Sequence, residues 1–327
     1  MDNSPKVSES AALSVTTLTL SLLVPLHNEA DSLVPLVERI DSVLGTLPGI
    51  RLEAIFINDG STDATLEKLL LLRRDYPFIR IVDLSRNFGK EAALTAGLKV
   101  ATGDIVVPLD ADLQDPPELI PQMIEKWRGG YEVVLAKRID RSSDGWLKRH
   151  TARWFYRVHN LLSDSTLPEN VGDFRLMDRA VVEALNGLPE SKRFMKGLFA
   201  WVGFRTAVVE YVRPSRTAGT SKFNGWRLWN FAIEGITSFS TSPLRIWTYL
   251  GSVIALLSFS FGLLIVLRVL AYGIDVPGYA SLAVAVTFLG GLQLMGIGVI
   301  GEYLGRTYIE TKRRPPYIIR QVYGPEP

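Results

Sequence analysis

Two carboxylates spaced one residue apart, Asp110 and Asp112, close the apolar, β-branched run Val106-Val107-Pro108-Leu109. In an extended strand, residues i and i+2 point to the same side. Asp110 and Asp112 at the mouth of a buried strand can therefore hold one hard divalent cation between them, and such a cation keeps waters and bridges to phosphate oxygens. The pattern is that of a metal–diphosphate site. Acidic residues after a strand also cap helices, and Asp115, just before Pro116-Pro117, reads as such a cap.

The chain supplies a frame that could carry these residues. Leu18 to Leu26 predicts a buried strand, Asp31 to Leu44 an amphipathic helix and Arg51 to Ile57 a second strand. The rhythm continues with helix over Thr62 to Arg74, strand over Phe78 to Leu84, helix over Lys90 to Ala101, strand over Asp104 to Leu109, helix over Pro117 to Trp127 and strand over Tyr131 to Ala136. Strands alternating with helices of this length imply an α/β fold, its mainly parallel sheet covered on both faces. In such sheets ligands collect outside the carboxyl ends of the strands. The polar residues sit there: Pro25 to Glu29 after the first strand, Asn58 to Asp63 after the second, Ser85 to Lys90 after the third, and the Asp110 cluster after the fourth. Asp59-Gly60 alone is a turn and Asp63 alone an N-cap. Four consecutive strand ends facing one crevice point to a nucleotide site.

At 327 residues the chain has room for about two domains. A formal net charge of +2 argues against a general polyanion-binding surface, so no nucleic-acid partner is expected. Cysteine is absent, which excludes a disulfide framework and a thiolate metal site. The segment 1–16 is polar, lacks the order of a secretory signal and is expected to be a disordered N-terminus. Trp247 to Ala271 and Ser281 to Tyr303 are overwhelmingly apolar, and each reaches the ~20 residues needed to cross a bilayer. The short connector carries no Lys or Arg, whereas Arg245 precedes the first stretch and Arg306, Lys312, Arg313 and Arg314 follow the second. Positive-inside bias then puts both chain ends and the bulk of the protein in the cytoplasm, on the inner membrane. Before the first stretch, aromatics mixed with bases between Phe223 and Phe239 suit a helix lying in the headgroup layer. Small residues in the second stretch, among them Gly290, Gly296 and Gly301, permit close helix contact, either packing within the membrane or the homo-oligomer that is expected.

Pro25, Asn28-Glu29, Asp59-Gly60-Ser61-Thr62-Asp63, Asn87-Phe88-Gly89-Lys90, Asp110-Ala111-Asp112-Leu113-Gln114, Gly172-Asp173-Phe174-Arg175-Leu176 and Gly301-Glu302-Tyr303-Leu304-Gly305-Arg306 together resemble the inverting family 2 glycosyltransferases of GT-A fold. Within these the chain looks most like the polyisoprenyl-phosphate glycosyltransferases, the bactoprenol glucosyltransferase and dolichyl-phosphate mannose synthase group. The likeness runs from Leu20 to Tyr317. It implies a GT-A domain over 17–215, a lid loop and interfacial helix over 216–243, two transmembrane helices within 244–305 and a cytoplasmic tail over 306–327. It also implies a nucleotide-sugar donor, a lipid monophosphate acceptor and Mg2+ or Mn2+.

By that resemblance Asp110, Asp112 and Gln114 hold the cation on the donor diphosphate, with oxygen ligands suited to a hard metal. Asp59 accepts from base or ribose, Pro25, Asn28 and Glu29 shape the base pocket, and Lys90 belongs to the nucleotide-sugar site. Arg213, Arg216, Ser221 and Lys222 fall in a Gly/Thr-rich loop that resembles a lid over the diphosphate. Asp173 resembles the family's essential aspartate and orients the acceptor or takes a remaining proton; a loop carboxylate paired with Arg175 is the alternative. Lys137, Arg138 and Arg149 are candidates for the acceptor phosphate, whose geometry a bidentate arginine fits. A lipid phosphate with a second pKa near ~6 is already largely dianionic at neutral pH, so a strong base is less needed than for a hydroxyl. Inverting single displacement is the expected chemistry, with UDP-glucose and undecaprenyl phosphate favoured. GDP-mannose, UDP-N-acetylhexosamine and a UDP-aminoarabinose derivative stay open as donors. A processive polysaccharide synthase and a non-catalytic nucleotide-sugar sensor are the readings from other classes.

Overall fold

The computed structural model describes residues 17–45, 47–112, 114–139, 171–190, 193, 195–212, 242–272 and 278–324. The segments 1–16 and 223–239, together with Arg149, Arg213, Arg216, Ser221 and Lys222, lie outside the described residues.

Among the described residues one eight-stranded sheet organises the chain, in the order β7-β5-β6-β4-β1-β2-β3-β8. Its centre is β1 (Leu18–Leu26), flanked in parallel by β2 (Ile50–Asn58) and β4 (Ile105–Pro108), with β3 (Ile79–Leu84) parallel to β2. The apolar runs form strands because both of their faces are covered. Leu20, Leu22 and Val24 point into one core with α1 (Leu33–Ile40) and α4 (Ile120–Arg128), while Leu23, Ile55 and Ile57 point into a second with α3 (Lys90–Val100) and α5 (Arg179–Gly187). Helix α1 buries Leu33, Leu36, Val37 and Ile40, the i, i+3, i+4, i+7 stripe of a helix with one inward face. Helix α2 (Thr65–Asp75) buries only Thr65 and Leu69 and so covers the sheet more lightly.

The sheet is parallel at β1-β2, β1-β4, β2-β3 and β5-β7 and antiparallel elsewhere. Strand β6 (Val171–Asp178) is inserted antiparallel between β4 and β5 (Val133–Arg138), and β7 (Thr206–Tyr211), which follows α6 (Met195–Trp201), forms one edge. The other edge is β8 (Ile319–Tyr323), paired antiparallel to β3. Of the segment 306–327, expected as a tail, residues 306–311 belong to a long helix and Ile319–Tyr323 return to the sheet, because the bare edge of β3 offers them backbone partners.

Two long helices precede β8: α7 (Ser242–Tyr272) and α8 (Tyr279–Thr311), of 31 and 33 residues. One stretch among the described residues, Phe288–Thr311, is long and apolar enough to cross a membrane, and none of it is buried in the protein. The helices touch where Gly296 meets Trp247: a Cβ on Gly296 would stand 2.3 Å from the indole nitrogen.

Candidate active site

The turns after β1, β2 and β4 and the first turn of α3 line one cleft of about 230 Å³, whose walls include Pro25, His27, Glu29, Asp59, Lys90, Asp110 and Asp112. The loops are locked to one another by side chains that the sequence marks as polar. Asn28 adopts a left-handed φ of 56°, its backbone N–H donating to Ser61 Oγ at 3.0 Å and its Oδ1 accepting from the Thr62 N–H at 2.8 Å. Asp59 is 3% exposed, and its two carboxylate oxygens accept from the backbone N–H groups of Phe88 and Gly89 at 2.7 and 2.9 Å. Its own carbonyl lies 2.9 Å from His27 Nδ1. Gly60, at φ 59°, lies so close to the next loop that a Cβ would sit 2.3 Å from the Arg86 carbonyl carbon. Asn28 and Asp59 therefore build the cleft as well as line its vicinity.

The register of β6 brings a third acid to the two after β4. Ile105 pairs with Asp178 and Val106 with Met177, and continuing that antiparallel register past Pro108 sets Asp173 level with Asp110. Lys90, the first residue of α3, reaches between them: Nζ is 2.6 Å from Asp110 Oδ1 and 2.7 Å from Asp173 Oδ2. Burial alone would lower the Lys90 pKa, but Asp110 and Asp173 outweigh it and hold the ammonium above the ordinary lysine value. For Asp173 burial pushes the other way, and Lys90 and Lys196 overcome it, leaving the carboxyl below its ordinary value and ionised. The other oxygen, Asp173 Oδ1, is buried and has no hydrogen-bond partner among the described residues.

Behind Asp173 lie Arg175, offered from sequence as its partner but donating to its backbone carbonyl rather than pairing with its carboxylate, and Glu91, which sequence reasoning did not assign. Arg175 is 5% exposed, stacks 3.9 Å above the Phe199 ring and donates to the Gly172 carbonyl at 2.7 Å. Burial brings its pKa down to about 10 against the pull of Asp173 and Glu91. Glu91 accepts from the Met195 N–H at 3.1 Å, and burial, reinforced by Asp173, pushes its pKa up to about 7. The available signal was an acid beside Lys90 in the first turn of α3, which reads equally well as a helix-dipole partner.

The donor set suits a hard cation. Asp110 and Asp112 present carboxylates on the cleft wall. Among the described residues no three His, Cys, Asp or Glu side chains cluster to cage a metal. Two carboxylates that leave the remaining positions to water and diphosphate oxygens fit Mg2+ or Mn2+ shared with a substrate. Gln114 is buried, and its N–H donates to Asp112 Oδ1 at 3.1 Å, so it orients that acid through its backbone. Asp115 is not the helix cap its position suggests: it accepts from the Tyr211 hydroxyl at 2.8 Å, tying the acidic loop to the end of β7. Lys137 pairs at 3.4 Å with Glu210 on β7, and Arg138 ends β5 beside it; neither lines the cleft.

Residues 21–185 match the family described as Glycosyl transferase family 2. The chain is 54% identical over 305 residues to a prophage bactoprenol glucosyl transferase homolog of Escherichia coli K12, covering 93% of this chain and 99% of that protein. It is also 54% identical to the bactoprenol glucosyl transferase of Shigella phage SfV, covering 93% and 98%, and 52% identical to an uncharacterized glycosyltransferase of Synechocystis, covering 95% and 97%. Among solved structures, glucosyl-3-phosphoglycerate synthase from Mycobacterium tuberculosis, in complex with Mn2+, UDP and phosphoglyceric acid, superposes with a TM-score of 0.49 at 21% identity over 67% of this chain and 76% of that one.

Proposed function

Because the chain belongs to glycosyl transferase family 2, we propose that it transfers glucose from UDP-glucose to a polyisoprenyl phosphate, undecaprenyl phosphate, at the cytoplasmic face of the membrane that holds α7 and α8. The carrying observation is Lys90 bridging Asp110 and Asp173, with Asp112 on the same cleft wall, at the carboxyl ends of β1, β2 and β4. The names of the relatives supply the glucosyl group and the bactoprenol carrier.

In this reading Asp59, Asn28, Glu29 and Pro25 form the nucleoside side of the cleft. Asp110 and Asp112 would hold Mg2+ or Mn2+, which when bound neutralises charge on the departing diphosphate. Lys90 adds a fixed positive charge on the same side. Asp173, ionised and held beside Asp110 by Lys90, orients the acceptor or takes the proton of a monoanionic phosphate. The acceptor is already an anion, so orientation and leaving-group stabilisation supply most of the rate. Arg138 and Lys137, with Arg149, are proposed to meet the acceptor phosphate. Arg213, Arg216, Ser221 and Lys222 are proposed to close over the diphosphate and exclude water.

Support for membrane residence comes from exposure. Leu256, Leu257, Phe261 and Leu264 of α7 and Leu294 and Ile297 of α8 each present more than 60% of their surface outward, far more apolar area than a soluble helix pair leaves to water. We read both helices as spans, with both chain ends in the cytoplasm.

The test follows radiolabel from a panel of nucleotide sugars, UDP-glucose and GDP-mannose among them, into chloroform-soluble lipid. Chelator and Asp112→Ala should each cut transfer by about a hundredfold or more while the protein stays in the membrane fraction. Label in a water-soluble polymer, or full transfer by Asp112→Ala, would overturn the reading.

A further inference from the structure

The strand that follows the second long helix reaches the nucleotide loops through an unbroken series of polar contacts. Arg320 on β8 places Nη1 3.3 Å from Asp83 Oδ2 and donates from Nη2 to the Ser85 carbonyl at 2.8 Å. Asp83 is 1% exposed, and its other oxygen accepts from Asn58 Nδ2 at 2.7 Å. Asn58 Oδ1 in turn accepts from the Ser61 N–H at 3.2 Å, and Ser61 Oγ accepts from the Asn28 N–H at 3.0 Å. Asn28 and Asp59 belong to the two turns that wall the cleft on its nucleoside side.

Asp83 sits near the carboxyl end of β3, every position of which is buried. A carboxylate buried there is costly unless paired, and its partners are one amide and one guanidinium. The guanidinium comes from 237 positions away in sequence, on an edge strand whose backbone pairs with Ile81, Val82, Asp83 and Leu84. Removing that cation leaves Asp83 drawing harder on Asn58, and Asn58 is the side chain that fixes the Ser61 turn.

We propose that Arg320 is a positioning residue for the nucleotide-sugar pocket, acting through Asp83 and Asn58 on the turns at Ser61 and Asn28. The proposal rests on reading the cleft as a nucleotide-sugar site. It assigns to the last strand of the chain a part in donor binding rather than in sheet closure alone.

The experiment uses the full chain in detergent with undecaprenyl phosphate, comparing Arg320→Ala, Arg320→Lys, Asp83→Asn and the double variant. Arg320→Ala should raise KM for the nucleotide sugar about five- to tenfold with kcat within about twofold, since it weakens donor binding without touching the reacting atoms. Arg320→Lys should recover part of the loss. The double variant should be no worse than the poorer single, the signature of one coupled unit. A KM equal to wild type, or a fall in kcat alone, overturns the proposal; so does a loss in Arg320→Ala that tracks only the fraction of folded protein. Binding of UDP by equilibrium dialysis separates the two levels. If wild type transfers no sugar yet binds UDP, and Arg320→Ala binds it about five- to tenfold more weakly, the positioning role stands and the assigned reaction falls; unchanged UDP binding sinks the positioning role whatever the transfer assay gives.

Discussion

Gly60 has two reasons to be glycine, and they act together. Its φ of 59° disfavours any side chain, and the space where a Cβ would go is filled by the backbone of Arg86 and Asn87. Backbone cannot rotate away, so Gly60→Ala must push the β2 turn from the β3 turn and stretch the two hydrogen bonds that Asp59 accepts. UDP binding by calorimetry should weaken about tenfold or more, with the melting temperature of the folded sheet falling only slightly; unchanged affinity would mean that the two turns move independently. Glu91 shows a different kind of constraint. Its pKa rises from an ordinary 4.5 to about 7 through burial and the nearness of Asp173. Below about pH 4.5 the acid is protonated whether the chain is folded or not. Between that value and about 7 the unfolded chain releases the proton and the folded chain keeps it, so this group makes stability fall as pH rises through the window and level off above it. Glu91→Gln retains an acceptor for the Met195 N–H and removes the charge. Melting curves of the variant should be flatter between pH 5 and 7 and lie above wild type at pH 8; a lower melting temperature at pH 8 would contradict the assignment.

At the scale of elements, the close contact of α7 and α8 depends on one glycine. In an apolar medium helices associate through close backbone approach rather than through expulsion of water. Gly296 provides that approach by leaving room for the Trp247 indole, whereas a Cβ at Gly301 or Gly305 meets nothing within 4 Å. Gly296→Leu should loosen the pair and lower the melting temperature of the full chain in detergent, and Gly301→Leu should not; equal sensitivity would refute the contact. The elements were unequally legible in the sequence. The first five strands announce themselves because each is an apolar run buried on both faces, and β1 has its expected bounds of Leu18–Leu26. Strands β6, β7 and β8 are different. β6 mixes Asp173 and Arg175 into its run, and β7 and β8 are five- or six-residue edge segments with several exposed positions, so their strand character comes from pairing with distant partners. For the same reason Asp110 and Asp112 were readable as a pair, while the level alignment of Asp173 with Asp110 needed the antiparallel register. Asp115, read as a cap, proved to be a partner for Tyr211 because β7 arrives beside it, a meeting that no local spacing encodes.

The whole molecule joins a sheet with a polar mouth to a helix pair with an apolar skin. The net charge of +2 is small, so the proposed membrane residence rests on those helices rather than on a general basic surface. Because β8 comes after α8 and pairs with β3, the chain leaves the sheet, passes through both long helices and stitches itself back onto the sheet's far rim. A catalytic half severed at residue 241 would keep every acid of the cleft and lose that closing seam. β3 would then show an open row of amide and carbonyl groups, the kind of margin that recruits strangers into fibrils and clumps. Such a fragment should precipitate at concentrations where the intact protein stays dispersed, and a synthetic peptide covering 317–324, added in trans, should restore its solubility. On the membrane residence proposed above, the returning strand makes anchorage and solubility one property, so that an enzyme cut from its long helices is an enzyme with a raw hem.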